Sequence, residues 1–142
     1  MLLKLSSMIR SILILFICLS FIGCKKKKKS LNDTFDITGA TLISQSSFSS
    51  NAHTSTGCVR IYSKSGSKYL VLEGFKTDNG PDVRIYLSKS TNNNEFIDLG
   101  GLKSTLGNFN YSFDSAINTT DYKYVLVWCK DYSVLFGNAL LQ

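Results

Sequence analysis

The side chain best suited to chemistry in this chain of 142 residues is the thiol of Cys129, which directly follows the only tryptophan, Trp128. A thiol can serve as a redox group, as a nucleophile or as a ligand to a metal or a haem. Three interpretations of Cys129 are open from the sequence. It is a buried structural thiol, one half of a disulfide with Cys58, or a redox or cofactor-ligating thiol.

Few other residues could complete a site around this thiol. His53 is the only histidine, and the two methionines lie in the predicted leader described below. A blue-copper site, and a haem held by two histidines or by histidine and methionine, therefore cannot form within one mature chain. We predict no metal site and do not favour an enzyme. A haem on Cys129 alone, a zinc ion held by His53, Cys58, Cys129 and a carboxylate, and a Cys129–His53 nucleophile pair remain as alternatives.

Residues 1–23 have the pattern of a secretory leader. A basic start is followed by apolar residues 12–22 and then by Gly23 and Cys24. The apolar segment is shorter than the roughly 20 residues that a membrane span needs. The Gly23–Cys24 ending resembles the lipobox of bacterial lipoproteins, which implies cleavage before Cys24 and acylation of that cysteine, palmitate included. An ordinary secretory leader and an uncleaved anchor are the alternatives.

The net charge of +6 belongs to a short tail and not to the rest of the chain. Residues 25–29 are five consecutive lysines, whereas residues 30–142 hold nine basic and ten acidic side chains. No basic patch for nucleic acid is therefore predicted. Lysines beside a lipidated cysteine would lie at the headgroup layer of a membrane, and the alternative, which we favour over specific lipid recognition, is a solvated spacer that keeps the domain off the surface. We expect residues 24–38 to be a lipidated basic linker in the bacterial cell envelope. The resemblance to bacterial lipoproteins implies the outer membrane as the location.

The element that must position Cys129 is a strand over residues 124–129. Every residue in this run is apolar, which predicts a strand covered on both faces. Alternation places Cys129 on the same face as Val125 and Val127, and Trp128 on the other. A second apolar run starts at residue 134 and is interrupted at Gly137.

The remainder of the chain alternates short apolar runs with turn residues, and no window has helical spacing over three turns. Residues 30–41 are predicted as linker, residues 64–68 as a hairpin connection, and Gly74 as a bulge. This pattern predicts one antiparallel β-sandwich or jelly-roll-like domain over residues 39–142. The expected strands are 40–48, 58–62, 69–75, 82–88, 96–99, 102–106, 109–113, 124–129 and the run from 134.

Several segments match a known family in order. They are Gly-Phe-Lys-Thr-Asp-Asn-Gly-Pro-Asp-Val-Arg-Ile-Tyr-Leu-Ser at 74–88, Leu-Gly-Gly-Leu-Lys at 99–103, Gly-Asn-Phe-Asn-Tyr at 107–111, and the ending from Val-Trp-Cys at 127–129 to Leu140. Together they resemble the DM-thirteen domain, which occurs beside DOMON domains and in many bacterial lipoproteins.

The resemblance implies an all-β domain with a redox or electron-transfer role centred on the cysteine that matches Cys129. That cysteine would act as a free thiol or as a ligand to a prosthetic group such as haem, and a redox protein would be its partner. Cys58 lies outside the family pattern. We therefore expect a membrane-anchored lipoprotein with a redox or electron-transfer accessory domain. The alternative is a non-catalytic ligand-binding or envelope-structural module, since the chain contains no multi-residue catalytic set.

Overall fold

The computed structural model describes residues 30–142, which form ten strands in two packed sheets. The strands are β1 (Leu31–Asn32), β2 (Thr41–Ser47), β3 (Ser49–Ser50), β4 (Ser55–Lys64), β5 (Ser67–Thr77), β6 (Val83–Ser88), β7 (Phe96–Gly101), β8 (Leu106–Phe113), β9 (Tyr124–Cys129) and β10 (Val134–Leu140). The first sheet has the order β1-β8-β5-β4-β2, and the second has the order β3-β10-β9-β6-β7. The predicted all-β sandwich is confirmed. In the described part of the chain, no helix is long and apolar enough to cross a membrane.

Strand alternation fills the space between the sheets. Inward residues of β4, β5, β6, β8 and β9 are completely buried; they include Val59, Ile61, Leu70, Leu72, Ile85, Leu87, Phe109, Val125 and Val127. A second cluster lies on the outer face of the second sheet and contains Tyr86, Leu126 and Trp128. β9 therefore contributes to both clusters, which confirms that its uninterrupted apolar run is covered on both faces.

Two glycine-containing segments differ from the sequence-based expectation. Residues 102–105 form a loop, not a strand, and β8 begins at Leu106 and continues through Gly107. Gly107 stays in the ladder because it pairs with Phe75 on one side and with Leu31 on the other. Gly101 likewise pairs with a β6 residue and does not end β7. Glycine weakens a strand, but paired neighbours can retain it in the ladder.

The residues predicted as linker include a segment that packs on the domain. We call residues 31–38 the N-terminal strap. Its strand β1 pairs in parallel with β8, and the ring of Phe35 lies 5.4 Å from the Tyr62 ring and 4.9 Å from the Tyr69 ring. The Asp36 side chain accepts a hydrogen bond from Lys64 Nζ at 2.9 Å. The ordered domain thus begins before residue 39. The leader, Cys24 and the lysine run lie outside the described residues.

The strand registers define two ends of the sandwich. β9 finishes with Cys129 opposite Val83 at the start of β6 and opposite Val134 at the start of β10. The start of β8 pairs with β5 close to its last residue, Thr77. We call this the Cys129 end. The opposite end holds the β4–β5 turn at residues 65–66 and the residues where β6 finishes and β9 starts.

Candidate functional site

Cys129 lies on the inner face of the second sheet, as the last residue of β9. Its side chain is 1% exposed and belongs to the main core together with Val125 and Val127. The prediction that alternation places Cys129 on the face of Val125 and Val127, with Trp128 on the other face, is confirmed. The position at a strand end matters, because only the loops at this end separate the sulfur from solvent.

The loop of residues 79–82 closes over the thiol, and Gly80 allows this close approach. A β-carbon at Gly80 would lie 3.6 Å from Cys129 Sγ, 3.1 Å from Phe136 Cζ and 2.8 Å from Val83 Cγ2. The last two distances are shorter than side chains normally tolerate, so a larger residue would displace a neighbour. The loop is also tied to the end of β9, because the Lys130 amide donates a hydrogen bond to Asp82 O at 2.8 Å.

The carboxylate of Asp82 holds the outer side of this loop. Arg84 Nε donates to Asp82 Oδ1, and Arg84 Nη1 donates to Asp98 Oδ2, both at 2.9 Å. The hydrogen bonds to Asp82 and Asp98 raise the pKa of Arg84 above its usual value. The guanidinium therefore links the loop to strand β7 through two carboxylates.

His53 lies at the same end but contacts other groups. Its Nδ1 is 3.5 Å from Asp78 Oδ2, and its ring centroid is 4.0 Å from the centroid of Phe136. The Asp78 carboxylate also accepts a hydrogen bond from the Thr54 amide at 3.1 Å. Within residues 30–142, no hydrogen bond or ion pair joins His53 to Cys129. The structure thus places the imidazole against Phe136 and does not form the nucleophile pair considered from the sequence.

Cys58 lies on the outer face of the first sheet. Because Val59 and Ile61 of β4 point into the core, the alternating residue Cys58 points outward. It is half-buried, with Sγ 3.8 Å from Ser47 Oγ. The thiol borders a groove of about 550 Å³ that is lined by Gln45, Ser46, Ser47, Cys58, Arg60 and Gln142.

The structure does not bring the two cysteines of the domain together. Both are free thiols, one on the outside of the first sheet and one inside the second. The disulfide between Cys58 and Cys129 that the sequence allowed is therefore not formed. The zinc set considered from the sequence is not assembled either, and residues 30–142 contain no group of three or more His, Cys, Asp or Glu arranged to hold a metal.

A groove of about 370 Å³ runs beside the loop that covers Cys129. It is lined by residues 79–83 on one side and by residues 101–105 on the other. The buried hydroxyl of Tyr111 supports the second side, since it accepts a hydrogen bond from the Lys103 amide at 3.1 Å and donates one to Gly101 O at 3.0 Å. Burial raises the pKa of Tyr111 to about 12.

The sequence did not predict the contacts that Gly80 and Tyr111 make at this end. Their roles depend on contacts between segments far apart in the chain, which no local pattern reveals. The only available signal was that both lie in segments that carry the family resemblance, at 74–88 and 107–111. The structure brings these segments to the Cys129 end.

The packing around the sulfur does not fit a haem or another bulky prosthetic group. Even one methyl group added at Gly80 would meet Val83 and Phe136 at 2.8 and 3.1 Å. A planar macrocycle ligated by Cys129 Sγ needs far more space than a methyl group on that side of the sulfur.

Comparison with curated proteins and with solved structures finds no match to the chain. A family model described as "Electron transfer DM13" matches residues 47–141, which is more than half of the chain. The matched region runs from the end of β2 to the residue after β10, and it contains Cys129, the covering loop and both sides of the groove. The recognition made from the sequence motifs is confirmed at this level: the chain belongs to the DM13 electron-transfer family.

Proposed function

We propose that this protein is a lipid-anchored electron-transfer component of the bacterial cell envelope, and that the thiol of Cys129 is its redox group. The observation that carries the proposal is a convergence in space. Segments 79–83, 101–103 and 127–129, which carry the family resemblance, lie together at the Cys129 end. Family-typical residues thus surround this thiol, whereas Cys58 faces solvent on the other sheet.

The placement of the two cysteines sets the chemistry that a thiol carrier would use. Cys58 cannot supply the second sulfur, because it lies on the outer face of the other sheet. The second sulfur therefore comes from a partner protein that carries a disulfide. The Cys129 thiolate attacks one sulfur of that disulfide, a mixed disulfide forms, and the other partner sulfur leaves as a thiolate. A dithiol donor then attacks the Cys129 sulfur with its first thiolate, which releases the second partner sulfur as a thiolate. The second donor thiolate attacks the donor sulfur bound to Cys129, so that Cys129 leaves as a thiolate, the donor becomes a disulfide and two electrons have passed from the donor dithiol to the partner disulfide.

The covering loop has to move for this reaction to occur. Cys129 is 1% exposed, and the loop lies against its sulfur through Gly80. The loop contacts the core through a glycine, Gly80, and the Asp82–Arg84 pair lies on its outer side. It can therefore open locally without unfolding the sheets. The groove beside it is the place where a partner segment would enter.

The proposed anchor rests on the sequence before the described residues. Gly23–Cys24 provides the acylation site, and residues 25–29 provide a basic run that an anionic leaflet attracts by about 1 kcal/mol per lysine. The outer membrane is the proposed address. Replacement of Cys24 by alanine should release the protein from the membrane fraction, and continued membrane attachment of that variant would contradict acylation at this residue.

The redox role is tested by equilibration with glutathione. The Cys58→Ser variant, which retains Cys129, is incubated in buffers of increasing oxidised-to-reduced glutathione ratio, and the mass of the folded protein is measured. We expect a reversible glutathione adduct on Cys129 while circular dichroism stays native. The Cys129→Ser variant is the matched control, because any adduct that it forms reports Cys58.

The second candidate function is a non-catalytic binding or envelope-structural module. The observation that favours it is the burial of Cys129 in the main core, where a free cysteine acts as a small apolar side chain. In that case Cys129 would stay reduced at every glutathione ratio until the domain unfolds. The same experiment therefore separates the two functions.

A further inference from the structure

The N-terminal strap leaves the domain at the Cys129 end. Its strand β1 runs parallel to β8, with Leu31 opposite Gly107 and Asn32 opposite Asn108. Because β8 starts at the Cys129 end, the strap also starts there and then runs towards the opposite end. Ser30, which directly precedes β1, therefore also lies at the Cys129 end, and we call its position the junction.

This junction adjoins the candidate site directly. Ser30, Leu31, Lys103 and Ser104 line a recess of about 270 Å³. Lys103 and Ser104 also line the groove beside the loop that covers Cys129. The junction and the groove therefore share one wall, formed by the loop that follows β7.

The strap is held firmly enough to fix this junction. Asn108 Nδ2 donates to Asn32 Oδ1 at 2.7 Å, and the Asp33 amide donates to Asn108 O at 2.8 Å. Gly107 has a φ of +126°, and a β-carbon there would overlap Leu31 O, so the backbones are in close contact. Further along, Phe35 packs on two tyrosine rings of the first sheet. The tether between the lipid and the domain therefore ends at residue 30.

The length of this tether decides which end can face the membrane. Six residue steps separate Cys24 from Ser30, and a fully extended chain of that length spans about 20 Å. Strand β5 has 11 residues, so the sandwich is about 36 Å long in the strand direction. A tether that starts at the Cys129 end is too short to let the opposite end point towards the bilayer.

We propose that the Cys129 end of the domain faces the bilayer to which Cys24 is attached, so that the covered thiol exchanges electrons with a partner at the membrane surface. This inference rests on the lipid anchor of the proposed function. The exposed groups at this end suit a lipid headgroup layer. Tyr132, in the turn between β9 and β10, is 71% exposed, and the neighbouring Lys130 is also exposed. Tyrosine and lysine are typical of membrane–water interfaces.

Fluorescence quenching tests the orientation in the full mature lipoprotein. In a Trp128→Phe background, one tryptophan is placed at the Cys129 end by Tyr132→Trp or at the opposite end by Phe96→Trp, where the native ring is 41% exposed. The proteins are inserted into phosphatidylethanolamine–phosphatidylglycerol vesicles that contain a headgroup spin-labelled lipid. We expect at least roughly twofold stronger quenching for Tyr132→Trp, because the two ends differ by most of the ~36 Å strand length.

A second measurement needs no substitution in the domain. A membrane-impermeant acetylating reagent is applied to the unaltered lipoprotein on vesicles and in detergent. The vesicles should slow acetylation of Lys103 and Lys130 at the Cys129 end, and they should leave Lys89 and Lys123 at the opposite end unchanged. Equal protection at both ends, or protection of Lys89 and Lys123 alone, would overturn the orientation.

Controls separate the orientation from the anchor. Insertion of about 20 Gly-Ser residues between Lys29 and Ser30 should remove the difference in quenching, because a flexible linker of that length lets the domain turn over. If the protein does not float with the vesicles, the anchor is wrong and the orientation falls with it. If it floats but the Phe96→Trp variant is quenched as strongly as the Tyr132→Trp variant, the orientation alone is overturned.

Discussion

Cys58 and Cys129 present the same side chain in two contrasting environments. Cys58 is half-buried beside an open groove, whereas Cys129 is 1% exposed beneath a loop that contains Gly80. Among the motifs that carry the family resemblance, one contains Cys129 and none contains Cys58. Both fall inside the matched residues 47–141, so the distinction is one of local structure. In the function proposed here, the reactivity of Cys129 is therefore controlled by opening of its cover and not by constant exposure.

The largest expected effect is a difference in reaction rate between the two thiols. In the native domain, Ellman's reagent should modify Cys58 in the Cys129→Ser variant at least about 10³-fold faster than it modifies Cys129 in the Cys58→Ser variant. Such a ratio corresponds to an opening free energy of about 4 kcal/mol, within the range of local unfolding. In denaturant the two rates should converge. Similar rates in the native state would show that Cys129 is not covered.

A second pair, Tyr111 and Tyr132, extends the comparison to pH. Burial raises the pKa of Tyr111 to about 12, so the folded state keeps a proton that the unfolded chain loses above pH 10. The stabilisation is therefore complete below pH 10 and is lost as pH rises from 10 to 12, by about 3 kcal/mol. Urea unfolding across this range should show a flatter decline for Tyr111→Phe. Tyr132→Phe, at an exposed ring, should leave the decline as it is; an unchanged decline in Tyr111→Phe would contradict the assignment.

Two glycines at the Cys129 end, Gly80 and Gly101, differ in the space that is available for one added methyl group. Alanine at Gly80 would press on Val83 and Phe136, whereas alanine at Gly101 would meet nothing within 4 Å. Gly80→Ala should lower the free energy of unfolding by about 1–3 kcal/mol and raise the rate at which Cys129 is modified. Gly101→Ala should stay within about 0.5 kcal/mol of the parent. Denaturant unfolding and thiol titration measure both effects, and equal behaviour of the two variants would refute the close contact over the sulfur.

The smallest effect is expected at Asp36, in the N-terminal strap on the surface of the first sheet. Hydrogen bonds from the Thr38 amide and from Lys64 lower the pKa of Asp36 to about 2. The stabilisation is present above the unfolded pKa and disappears as pH falls from about 4 to 2. Because the Asp36 side chain is 72% exposed, the change should be small. The free energy of unfolding of Asp36→Asn should no longer show this fall between about pH 4 and 2. If the fall is the same as in the parent protein, the pair of Asp36 and Lys64 does not contribute to stability.

The sequence predicted the features that depend on local alternation. The two-sided burial of residues 124–129 was predicted from their uninterrupted apolar run, and the placement of Cys129 and Trp128 on opposite faces follows from a period of two residues. The bulge expected at Gly74 is also present, since the β5–β8 register shifts between Leu72 and Phe75. The family could be recognised from the sequence because several short motifs occur in the family's order along the chain.

The features that the sequence did not predict depend on partners far away in the chain. The strap appears polar and irregular by itself, and it becomes a strand only because β8 offers a free edge 76 residues later. The loop at 102–105 is held by the Tyr111 hydroxyl, which no local pattern reveals. The closure of Gly80 over Cys129 likewise joins residues almost 50 positions apart.

The central claim, that Cys129 is the redox group, is tested most directly by intact mass. The Cys58→Ser protein is isolated from its own cell envelope after an acid quench and thiol alkylation, and its mass is recorded with and without reductant. We predict an acylated chain in which part of Cys129 escapes alkylation because it is held in a mixed disulfide, and reductant should release this fraction as free thiol. Complete alkylation of Cys129 under both oxidising and reducing growth conditions would contradict the account.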